Sequence, residues 1–90
     1  MLAEILFTQD DNLVLVCADM DLMNASSVEF YHDTGSFVLN FSDAQEMVDM
    51  ELDAGYRDTV LDMATLTVAQ LNAQGDITNA RTLPLIHVGG

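Results

Sequence analysis

Ninety residues with fifteen acids, two arginines (Arg57 and Arg81) and no lysine carry a formal net charge of −13 at pH 7. Half of the residues are apolar, which separates the chain from disordered acidic tails and calls for one small folded domain. So negative a surface excludes phosphate-backbone recognition by counterion release and attachment to a membrane through a polybasic patch.

The N-terminal segment 2–8 reads as a strand, with a short helix as the alternative, and 9–12 as turn material. It has no positive n-region and no long apolar h-region, so no signal peptide is expected. Residues 12–19 are almost continuously apolar and rich in Val and Leu, the pattern of a strand buried on both faces. The single cysteine, Cys17, lies in this run and is expected to be a buried small hydrophobe rather than a reactive thiol. No apolar stretch approaches the roughly 20 residues needed to cross a bilayer as a helix. With no disulfide framework, a cytoplasmic setting is the default. Residues 19–26 are polar enough for a loop.

Ser27–His32 and Ser36–Phe41 flank Asp33-Thr34-Gly35, and β-branched and aromatic residues on both sides of a Gly-containing turn predict a hairpin. Alternation puts Val28, Phe30 and His32 on one face of the first arm, and Phe37, Leu39 and Phe41 on one face of the second.

Ser42-Asp43-Ala44-Gln45 fits a capping box, so a helical region is predicted from there to about Ala73, with Gly75 as its stop. Gly55 either divides it into two helices or sits inside one. Indexing residues 43–56 at 100° each gives two apolar stripes on nearly opposite sides: Met47, Met50 and Ala54, and Val48, Leu52 and Tyr56. Glu46, Asp49 and Asp53 lie between them on one flank, and Glu51 lies on the other, with Asp58 and Asp62 if the helix continues. One stripe packs on the sheet. The second packs on another helix or is a partner or dimer surface, which makes Met47, Met50, Val48, Leu52 and Tyr56 apolar interface candidates. Residues 76–81 read as a connection and 83–88 as a final strand, with Pro84 at an edge or near the strand's beginning.

Chemistry-bearing motifs are few. No nucleotide-binding glycine loop, nucleophile elbow or zinc signature is present. His32, His87 and Cys17 have no metal-ligand spacing. Asp19-x-Asp21-x-x-Asn24 lacks the glycine and terminal glutamate of a calcium loop. No catalytic residue, metal or cofactor is expected. The final Gly89-Gly90 looks like the tail of ubiquitin-like proteins and sulfur carriers, where such an end is adenylated by an activating enzyme. The β-grasp order implied by that resemblance, with a helix after the first two strands, differs from the order predicted here.

The predicted fold is therefore α+β: an antiparallel sheet of about four or five strands covered by one long helix or two shorter ones. The expected function is that of a non-enzymatic acidic protein that engages a basic partner, in the concrete form of an inhibitor or DNA mimic occupying the groove of a nucleic-acid-binding protein. Phage anti-defence proteins, anti-CRISPR proteins, immunity proteins and antitoxins share this combination of charge and size, an analogy rather than a motif match. The residues expected to replace phosphates are Glu46, Asp49, Asp53, Asp58 and Asp62, aided by Asp10, Asp11, Asp19 and Asp21. The alternatives are a self-associating or adaptor domain that binds through the apolar stripes, a Gly-Gly carrier, or adaptation to a saline cytoplasm.

Overall fold

The computed structural model describes residues 3–8, 10 and 12–89. Seven strands form one mixed sheet: β1 (Ala3–Phe7), β2 (Leu13–Cys17), β3 (Ser27–Tyr31), β4 (Ser36–Asn40), β5 (Gln45–Glu51), β6 (Thr65–Leu71) and β7 (Ile77–Val88). Their order is β1-β2-β6-β7-β3-β4-β5, and the two end strands, β1 and β5, come into contact so that the sheet nearly closes into a barrel. One short helix, α1 (Arg57–Val60), and 3-10 turns at Met20–Asn24 and Ala54–Tyr56 complete the described structure.

This corrects the expected α+β class. No long helix covers an antiparallel sheet; the strands wrap around their own core. The β2–β6 and β3–β7 pairs are parallel and the other pairs antiparallel. Phe30, Phe37, Leu15, Leu39, Leu66, Leu83, Val28, Val60 and Val68 are its largest fully buried side chains. Val14, Val16 and Ala69 form a smaller cluster apart from it, so β2 is buried along its whole length, as its unbroken apolar run predicts.

The predicted helix over residues 43–73 is where sequence and structure part. Val48, Met50 and Leu52 recur at every second residue, a strand period, while Val48 and Leu52 also satisfy a helical one. The strand wins because Gln45–Met47 continue the β4 hairpin, in register with Asn40, Leu39 and Val38. The capping box is instead a two-residue turn: the Phe41 N–H donates to the Ala44 carbonyl at 2.9 Å, with Ser42 and Asp43 at its tip. In β6, Leu66 and Val68 alternate with Thr65 and Thr67 and are buried. Gly75, read as a helix stop, has φ +85° in the β6–β7 turn. There Asn72 Oδ1 accepts from the Gln74 and Asp76 N–H groups, both at 2.9 Å.

Residues 77–81, within the expected connection 76–81, belong to β7. Asn79 has φ +55° beside a register shift between Val68 and Gln70, so a bulge interrupts the alternation that would have marked a strand. Pro84 lies inside β7, opposite Thr65. The Leu85 N–H donates to Ala64 at 3.0 Å, which turns the Pro84 nitrogen away from β6, and the β3 ladder begins only at Leu85. A missing N–H costs nothing at that junction.

The β3–β4 hairpin forms where predicted, around Gly35 at φ +75°. A Cβ there would meet the Leu52 carbonyl oxygen at 2.3 Å and Arg57 Nε at 2.8 Å, so the close approach of the β5–α1 segment requires glycine.

Candidate functional site

The sheet sorts the charged residues in a simple way. Every described acid except Glu29 is exposed. Glu46 and Asp49 lie on β5, the edge strand in which only Val48 is buried. Asp53 precedes the second 3-10 turn, Asp58 lies in α1 and Asp62 follows it. Asp10 lies between β1 and β2. Asp19 and Asp21 open the first 3-10 turn, where Asp19 Oδ1 accepts from the Asp21 N–H at 3.1 Å. Asp11 and Gly90 lie outside the described residues. Glu46, Asp49 and Asp53 do not share a helix flank: Glu46 pairs with Leu39 on β5, Asp49 lies where the β4–β5 register shifts between Met47 and Glu51, and Asp53 lies beyond the strand.

Both cations donate to backbone carbonyls. The Arg57 guanidinium donates to four backbone carbonyls: from Nη1 to Asp33 at 3.0 Å and His32 at 3.4 Å, from Nη2 to Thr34 at 3.0 Å, and from Nε to Leu52 at 3.3 Å. It thereby ties the β3–β4 turn to the chain leaving β5. Arg81 donates to the Met23 carbonyl, fixing the first 3-10 turn against β7. Neither donation involves a carboxylate, so the two arginines stabilise loops rather than neutralise the acids. Glu29 has polar partners: the Tyr31 hydroxyl donates to it at 2.9 Å and Gln45 Nε2 at 3.0 Å. That bond to Glu29 is the main cause of a Tyr31 hydroxyl pKa above its ordinary value.

The apolar candidates separate. Val48 and Leu52 are core residues. Met47 is 63% exposed and Met50 44%. Tyr56 is half exposed and packs on Phe7 with ring centroids 4.8 Å apart. The two stripes therefore have no existence as helix faces.

One arrangement lies outside the sequence reading. The parallel β3–β7 pair brings together His32 and His87, 55 positions apart, with their rings stacked at 5.0 Å. Nothing local in the sequence signals this, because only the crossover topology sets the register. Among the described residues no group of three His, Cys, Asp or Glu side chains could hold a metal ion. No helix among them is long and apolar enough to cross a membrane. Cys17 is buried, and desolvation raises its thiol above the ordinary value of 9.0.

No protein-family model matches the chain, and searches of curated proteins and of solved structures find no significant match. The reading of function therefore rests on the physical arrangement: a strand scaffold with an acidic exterior whose own cations are committed to backbone carbonyls.

Proposed function

We propose that the protein is a non-enzymatic acidic binding module that engages the cationic surface of a nucleic-acid-binding protein, in the manner of an inhibitor or DNA mimic. The observation that carries this reading is the disposition of the two arginines. With Arg57 and Arg81 donating to carbonyls, the exposed carboxylates of Glu46, Asp53, Asp58 and Asp62 face solvent as a field of one sign. Such a field attracts a partner rich in Arg and Lys at long range and in a salt-dependent way. A cytoplasmic setting, in which Cys17 remains reduced, belongs to the same reading.

Affinity capture from the native host tests it. The captured partner should be a basic protein that elutes with salt and that nucleic acid displaces. Asp53→Lys with Asp58→Lys should abolish capture. A partner that withstands both changes, yet is lost with Met47→Ser and Met50→Ser, would instead support the second reading. That reading, an adaptor or homodimer interface, rests on the exposure of Met47 and Met50 on an edge strand, and light scattering after size exclusion tests its dimeric form.

A further inference from the structure

We infer that the groove between the Met20–Asn24 turn and the β4–β5 turn receives an arginine side chain of the partner. The inference rests on the acidic-module reading and narrows it to one contact. The groove is open to solvent, with a volume of about 500 Å³. Leu22, Phe41 and Ala44 line its apolar part, and Asp21, Asp43 and Glu46 supply carboxylates.

The two parts differ in how firmly they are held. Leu22 is buried in the core and Phe41 packs against it, while the Phe41–Ala44 hydrogen bond closes the hairpin turn beside them. The apolar floor is thus anchored to the sheet. The three carboxylates are exposed, and among the described residues none of them accepts a hydrogen bond; Asp19, two residues from Asp21, already caps a backbone N–H. The three like charges gather beside an apolar floor, an arrangement complementary to a cation, and the chain's own two cations are bound elsewhere.

A ligand that fits must pair an aliphatic stem with a terminal cation. Arginine does so: its methylenes lie on Leu22 and Ala44, its planar head meets the Phe41 ring, and its fork of N–H donors reaches two carboxylates together. Lysine offers the stem and the charge without the plane or the fork.

Titration of the ¹⁵N-labelled full chain with a capped glycine-arginine-glycine peptide, and with its lysine and citrulline counterparts, tests this. The arginine peptide should shift the backbone amides of Leu22, Phe41 and Ala44 saturably. The lysine peptide should bind more weakly and the citrulline peptide should leave these amides unmoved. Asp43→Asn with Glu46→Gln should weaken arginine binding by about tenfold or more, as expected for loss of charge-assisted bonds. The remaining amide spectrum should be preserved, which shows that the fold survives. Equal shifts with citrulline, shifts spread over all exposed acids, or no saturable shift at these amides would overturn the inference. If the captured partner is lost with Asp53→Lys and Asp58→Lys but is bound normally by the Asp43→Asn, Glu46→Gln variant, the groove assignment fails and the acidic-module reading stands. A partner indifferent to every charge change ends both.

Discussion

His32 donates its Nε2–H to Nδ1 of His87 across 2.7 Å, and the direction of that bond follows from what lies beyond it. His87 Nε2 is 2.7 Å from the Met63 carbonyl, and a carbonyl can only accept. Nε2 of His87 must therefore carry a proton, which leaves Nδ1 of the neutral ring to accept from His32.

Long-range ¹H–¹⁵N spectra should show both neutral rings as the Nε2–H tautomer. An Nδ1–H signature on His87 would contradict the chain of bonds. His87→Ala should lower stability by about 1–2 kcal/mol in chemical denaturation, the usual contribution of one or two hydrogen bonds.

Arg57 should matter for folding rather than for partner contact. Its guanidinium satisfies carbonyls from both the β3–β4 turn and Leu52. Arg57→Ala should therefore cost about 2–3 kcal/mol, and Arg57→Lys should recover only part of it, because an ammonium cannot span the same carbonyls. Urea midpoints measured at equal slope check both. Equal stability of Arg57→Lys and wild type would show that charge alone suffices.

Two glycines make a paired comparison. Gly35→Ala adds a methyl 2.3 Å from the Leu52 oxygen at φ +75° and should cost about 2 kcal/mol or more. Gly55→Ala meets no atom within 4 Å and has no left-handed φ, so its melting temperature should stay near that of wild type.

Cys17 gives a pH dependence of known sign. Burial raises its thiol above 9.0, so the folded chain keeps a proton that the unfolded chain releases. Stability is unaffected below the ordinary thiol value and falls as pH rises through it, until the folded thiol itself ionises. Cys17→Ala should remove that portion of the alkaline loss, and a thiol reagent should label the wild type only when it unfolds. Rapid labelling of the native protein would contradict the burial.

How much of this was legible in the sequence depends on the distance over which each feature is determined. The β3–β4 hairpin is local: its arms alternate, and its turn has one glycine at the position that needs positive φ. The β2 strand is legible because an apolar run admits one environment. Residues 47–52 are compatible with two periods, and over β5 the choice between them is made by pairing with β4, a tertiary contact that propensity cannot weigh. In β7, Asn79 and the bulge hide a strand that resumes on the other side. The acids of the candidate site were legible as charge, since exposure follows from their chemistry, but not as geometry. Their common helix flank does not exist, and Asp43 joins Asp21 only because the β4–β5 turn folds back beside the 3-10 turn.

The central claim, that unneutralised carboxylates carry partner recognition, is tested most directly by the affinity of the captured partner for the wild type and for the Asp53→Lys, Asp58→Lys variant at two salt concentrations. The account predicts that wild-type affinity falls at least about tenfold from roughly 50 to 200 mM salt, as electrostatic attraction is screened, and that the variant shows no measurable binding at either. Affinity that is indifferent both to salt and to the two charge reversals would contradict it.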